Sequence, residues 1–98
     1  MITTREEAHY DVIAAMAEYA RKDSKLAHKF LDSLNDKISN IDLFPFAYPV
    51  KIDNIFRRAV LTNFPYSIYY KIESNNEIVI YAVLSNNLDP NVILRKLA

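Results

Sequence analysis

The stretch FRRAVLTNFPYSIYYKI, residues 56–72, decides the fold. It is rich in β-branched and aromatic residues that alternate with a period of two, and Asn63-Phe64-Pro65 interrupts it as a turn. The alternation continues on both sides, so strands are predicted over Ile55–Thr62, Tyr66–Glu73 and Glu77–Ser85. Ser74-Asn75-Asn76 joins the last two, with asparagine supplying the left-handed backbone of a tight hairpin. Three strands with such short links form an antiparallel meander.

Upstream the period changes to that of a helix. Ala8, Val12, Ala15, Met16 and Tyr19, flanked by Ile13 and Ala20, form an apolar stripe ending near Lys22. Thr4-Arg5-Glu6-Glu7 reads as a capping box for this helix, and residues 1–4 as a short strand before it. Asp23-Ser24 breaks the first helix and caps a second that runs to about Asn40. Its stripe is Leu26, Ala27, Phe30, Leu31, Leu34, Ile38 and Ile41. So short a link makes the pair an antiparallel hairpin, and each greasy face needs a third element to cover it. Phe44–Pro49 is a rigid connector whose aromatics are expected to plug the edge of the core. Asp89-Pro90 ends the sheet, and Asn91–Ala98 reads as a short helix or a frayed tail. The expected architecture is α+β: an N-terminal helical hairpin on one face of a small, mainly antiparallel curved sheet, as one domain over residues 1–98.

Composition excludes several function classes. Of 98 residues 51% are hydrophobic, which supports a real core and argues against disorder. Glycine is absent, which excludes phosphate-cradling P-loop and dinucleotide fingerprints. Cysteine is absent too, so neither disulfides nor a Cys-ligated zinc site can form. Neither metal nor cofactor is expected. The polar, early-acidic N-terminus is unlike a secretory signal, and no apolar run approaches the roughly 18 residues of a spanning helix. A cytoplasmic location without membrane association is therefore expected. Twelve basic and twelve acidic residues cancel, with six against eight in residues 1–49 and six against four in residues 50–98. That mild asymmetry argues against strong general nucleic-acid binding.

The order and spacing of several short patterns resemble the RelE/ParE superfamily of bacterial toxins over nearly the whole chain. Ala8 and Asp11 match the start of its first helix, and Leu26-Ala27 with Phe30 its second. Tyr48-Pro49 precedes the sheet as in the family. Arg57, then Phe64-Pro65-Tyr66 and Ile68-Tyr69-Tyr70, form the most specific part, followed by Tyr81-Ala82-Val83-Leu84 and Asp89-Pro90. The resemblance implies a type II toxin–antitoxin or plasmid-stabilisation system. The toxin would inhibit growth unless bound by a cognate antitoxin, and would reach DNA only indirectly through that antitoxin. RelE-like members cut messenger RNA in the ribosome, whereas ParE-like members poison DNA gyrase without known catalysis of their own.

Cleavage through a 2′-hydroxyl needs a base, cations for the phosphate and an acid for the leaving oxygen. RNA-cutting members often carry a His and an arginine pair just before the Asp/Asn-Pro. Here Ser85 takes the His position and Asn87-Leu88 the arginine pair. This departure favours a ParE-like binder over the ribonuclease, and a degenerate family member that only binds its antitoxin is the third reading. His9 and His28 read as helix-surface residues. Arg57 is the main candidate, either as a phosphate or target contact or as an ion pair at the sheet face. Lys51, Lys71 and Ser85 are weaker catalytic candidates. Tyr69 and Lys71 are expected to line the open side of the sheet as binding residues, opposite Tyr66, Ile68, Tyr70 and Ile72 on the helix-covered face. That open side is then a docking surface for an antitoxin segment.

Overall fold

The computed structural model describes residues 1–98. A strand, β1 (Ile2–Thr4), leads into helices α1 (Glu6–Lys22) and α2 (Ser24–Leu43). Strands β2 (Val50–Ile52), β3 (Phe56–Val60), β4 (Tyr66–Ile72) and β5 (Ile78–Ser85) follow, and helix α3 (Pro90–Leu97) ends the chain. The sheet order is β1-β5-β4-β3-β2. The β2–β5 pairings are antiparallel, and β1 joins β5 in parallel, which makes the sheet mixed. The expected helical hairpin and meander are both present. No helix is long and apolar enough to cross a membrane.

The capping box does not form. Thr4 is held in the sheet opposite Ile80, and the Arg5 amide donates to the Ile80 carbonyl. Arg5 becomes the N-cap and supplies no side-chain cap to α1. Strand pairing has claimed the residue that local capping would have used. At the second helix the expectation holds, since the Asp23 carboxylate accepts the Lys25 amide at 2.9 Å.

β2 was not anticipated. It pairs with β3 across a tight turn in which the Ile55 amide donates to the Ile52 carbonyl. Asp53 and Asn54 at the centre of that turn have φ of 53° and 56°, the pair of left-handed residues of a type I′ turn. Asn63 and Asn76 supply the other two left-handed positions, so Asx residues replace the missing glycines throughout.

Both faces of the sheet are covered. Ala8, Ala15, Phe30, Leu34 and Ile41 from α1 and α2 pack on Ala59, Ile68, Tyr70, Ile80 and Val83. On the reverse face, Ile93 and Leu97 of α3 pack with Phe56, Tyr69, Ala82 and Leu84. The reverse face is therefore not open. A bulge in β5 accounts for the change of side along that strand. Tyr69 lies opposite Ala82 and Tyr70 opposite Ile80, which leaves Tyr81 as the extra residue on the α3 side.

Candidate functional site

Arg57 sits on β3 opposite Tyr70 of β4 and Val50 of β2. It shares its face with Ala59, so its guanidinium lies on the hairpin side, beyond the end of α2. There Nη1 donates to the Tyr48 carbonyl at 2.6 Å and, at a longer 3.4 Å, to that of Phe46. The guanidinium stacks 5.2 Å from the centre of the Phe46 ring. Next to it the Tyr70 hydroxyl donates to the Pro45 carbonyl at 2.6 Å. Tyr70 is fully buried, and that burial pushes its pKa up to about 12 against the opposing pull of Arg57. Tyr70 and Arg57 thus clip residues 45–48 to the sheet. The connector holds no regular structure, so its carbonyls need such side-chain partners.

No carboxylate lies within salt-bridge distance of Arg57, so the ion pair considered for it does not form. A cleft of about 340 Å³ opens beside it, with Phe46, Val50 and Ile55 as its apolar rim and Glu73 on the far wall. The expected aromatic plug is only partly realised. Tyr48 packs on the core, but Phe44 is 61% and Phe46 65% exposed. A larger groove of about 620 Å³ lies between α2 and Thr62–Phe64. It carries Lys29 and Lys37 beside Asp32 and Asp36, so its charges cancel, and none of the candidate residues reaches it.

The other candidates are dispersed. Lys51 is exposed on the edge strand β2. Lys71 lies on the α3 side, 3.6 Å from Glu73 and over the Tyr81 ring at 5.3 Å. Tyr81 and then Glu73 hold its ammonium group above the ordinary lysine range. Tyr69 is 2% exposed beneath α3 and does not line an open surface. Its hydroxyl is pushed up in pKa by burial, with Arg58 opposing. Ser85 closes β5 opposite Tyr66, and its Oγ accepts the Asn87 amide at 3.2 Å. It shapes the turn into α3. The structure does not bring these groups together around one reacting atom. His9 and His28 are exposed on the helices, as expected. No group of three or more acidic or His residues gathers where a metal ion would sit.

Residues 3–89 match the family described as the ParE toxin of the type II toxin–antitoxin system, parDE. The chain belongs to that family. It is thus a type II toxin, and membership implies a cognate antitoxin as its partner. The fold is also that of a solved structure described as a chromosomal ParDE TA system from P. aeruginosa. The TM-score is 0.75 at 16% identity, over 86% of this chain and 92% of the other. No curated protein matches the chain in sequence.

Two polar clusters of the toxin were not found from sequence. Arg58 donates through Nε to Ser67 Oγ at 3.1 Å and through Nη2 to Asn86 Oδ1 at 3.3 Å. Ser67 is fully buried and donates to the same Asn86 oxygen at 2.5 Å. The stretch before Asp89-Pro90, which lacks the His and the arginine pair, therefore commits Asn86 to a buried hydroxyl and a half-buried cation. Arg5 is the second case. It covers the Tyr81 ring at 4.2 Å and donates to the carbonyls of Tyr81 and Lys96 at 3.4 and 3.3 Å. Beside it, Asp11 of α1 accepts the Val83 amide at 3.0 Å, on the β5 edge that β1 is too short to cover. Burial raises the Asp11 pKa, with the Val83 hydrogen bond opposing. Nothing in the spacing of Arg5 or Asp11 announced these partners 70 or more residues away.

Proposed function

We propose that the chain stops growth in the cytoplasm by binding a protein target such as DNA gyrase, and that its cognate antitoxin silences it. One observation carries this reading: Arg57 stands unpaired by any carboxylate inside the exposed rim of Phe46, Val50 and Ile55. Aromatic residues and arginine ringed by apolar contacts are the composition of a protein-binding hot spot. A ribonucleolytic centre instead converges a base, an acid and cations on one phosphate. Lys51, Lys71 and Ser85 are spread over an edge, the α3 face and a turn, which supports binding over cleavage. Arg57 is the binding residue in this reading, Tyr69 is buried beneath α3, and Lys71 lies at the surface beside Glu73 and Tyr81.

Induced expression without antitoxin tests it. Growth arrest with filamentation and double-strand breaks, and inhibition of purified gyrase by the purified toxin, are expected. Codon-linked cuts in messenger RNA would replace the reading with the ribonuclease, and normal growth with folded protein would leave an antitoxin-binding relic. Phe46→Ser and Ile55→Ser should abolish toxicity while preserving the fold, because both side chains are mainly exposed. Full toxicity in both would remove the rim from the mechanism.

A further inference from the structure

Helix α1 is apolar on two opposite sides. Its inner side, with Ala8, Val12, Ala15, Met16 and Tyr19, packs on the core. Its outer side carries Tyr10 and Ile13, 61% and 62% exposed, with Ala14 and Ala17 beside them, also exposed. At 100° per residue these four lie within one third of the helix circumference, and so do Glu6 at one end and Arg21 at the other. An ordinary surface helix keeps that side polar. The outer stripe has one acidic end and one basic end, with Glu6 and Glu7 in the first turn and Arg21 and Lys22 in the last.

We propose that the outer face of α1 packs antiparallel on α1 of a second copy of the toxin, about a two-fold axis near Ile13 and Ala14. A single register satisfies every position. It sets Glu6 against Arg21, Tyr10 against Ala17 and Ile13 against Ala14 of the second copy, each pair twice. Every large side chain then meets an alanine, which allows the close approach of packed helices. Each acidic end meets a basic end. This self-complementarity is what an isologous interface requires, and it selects a second copy over an unrelated helix. The formal net charge of the chain is zero, so the copies carry no general repulsion. The existing contacts of the charged ends, Tyr10 with Glu6 at 2.9 Å and Arg21 with Glu18 at 2.7 Å, are exposed and free to extend across the pair. One helix crossing is a small interface, so the dimer is reversible and concentration-dependent.

The chain has no cysteine, so a single introduced thiol reports geometry cleanly. In the full-length toxin, Ala14→Cys lies beside the axis and is expected to form a disulfide-linked dimer under mild oxidation. Glu6→Cys lies about 22 Å along the axis from its mate and should not. Sedimentation of the unmodified toxin should show a mass rising with concentration from the 11.4 kDa of one chain toward twice that value. Glu6→Lys and Arg21→Glu should each weaken association about tenfold or more by setting like charges together at both ends. A one-to-one mixture of the two should restore it, because both ends of the mixed dimer are then complementary. Misfolding cannot mimic that rescue. A toxin monomeric at every accessible concentration, an unlinked Ala14→Cys, or a mixture no tighter than its components would each overturn the proposal.

Discussion

Replacing Tyr70 with Phe isolates one hydroxyl, and the structure fixes both its size and its pH dependence. The ring stays buried, so packing is retained, and only the 2.6 Å hydrogen bond to the Pro45 carbonyl is lost. The carbonyl is left half-buried without that donor. Losing the bond and stranding its acceptor together cost about 1.5 kcal/mol near pH 7. For a chain of this length that lowers Tm by roughly 6–12 °C. The alkaline limb is the sharper test. Tyr70 ionises at the ordinary tyrosine value of 10.0 in the unfolded chain and at about 12 in the folded one, because burial disfavours the phenolate. Between those values the unfolded state binds fewer protons, so stability falls as pH rises, by about 1.4 kcal/mol per unit for this one group. Phenylalanine lacks that loss. The stability curves of parent and variant, from urea unfolding at fixed pH, should therefore cross near pH 11. A gap that stays constant from pH 7 to 11 would show the hydroxyl to be unshielded. A gap of zero at pH 7 would show that the Pro45 bond does not hold the connector. Arg57 secures the same segment, so Arg57→Met and Tyr70→Phe should be non-additive, with a coupling on the order of 0.5 kcal/mol or more.

Three further outcomes follow from the polar clusters and the turns. Asp11→Ala strands the Val83 amide and should cost about 1–2 kcal/mol, whereas Asp11→Asn keeps an acceptor there and should cost little. The raised pKa of Asp11 means that the folded state binds the extra proton, so the parent loses stability as pH rises from 3.8 through the folded value; Asp11→Asn should lose that component in acid denaturation series. Asn86→Ala removes the shared acceptor of buried Ser67 and of Arg58 and should destabilise by about 1–3 kcal/mol in urea melts, with Ser67→Ala partly rescuing it. Asn76→Gly should be neutral or mildly stabilising and Asn76→Val should cost about 1–2 kcal/mol, since φ of 66° is a left-handed position.

What could be read from the sequence was whatever local periodicity encodes. The stripes of α1 and α2, the meander and the Asn75-Asn76 turn all repeat at the spacing of their element, and all are where the pattern placed them. The misses are places where a distant partner outweighed a local signal. Thr4 left its capping role because the Ile80 ladder was available. β2 is only three residues long, too short for alternation, and its one signal was Asp53-Asn54 where a glycine would usually mark the turn. α3 was indistinguishable from a tail until Phe56, Tyr69 and Leu84 supplied a face for Ile93 and Leu97. The same covering removed Tyr69 from any surface. Arg57 was found as a position but not as a contact, because alternation gives the face of a residue and says nothing of the carbonyls a connector will bring to it.

An extended segment of a partner can pair with the toxin only where in-plane backbone groups are free, at the outermost strands of the sheet. The hairpin and α3 cover the two faces, and the in-plane backbone groups left unpaired are those on the outer sides of β1 and β2. At the β5 edge, β1 pairs the first half of the strand, and Arg5 and Asp11 occupy Tyr81 and Val83 where β1 stops. The part of β5 beyond β1 is thus sealed by side chains, and the three-residue β1 is left as the edge on that side. At the other edge β2 pairs only with β3, and its outer side is free. The Phe46, Val50, Ile55 and Arg57 rim lies along this same edge. A strand added there would gain main-chain hydrogen bonds from β2 and side-chain pockets from the rim at once. The exposed side chains of Phe46, Val50 and Ile55 thus lie along a sheet edge with free pairing capacity, which is the arrangement expected of a surface built to be occupied.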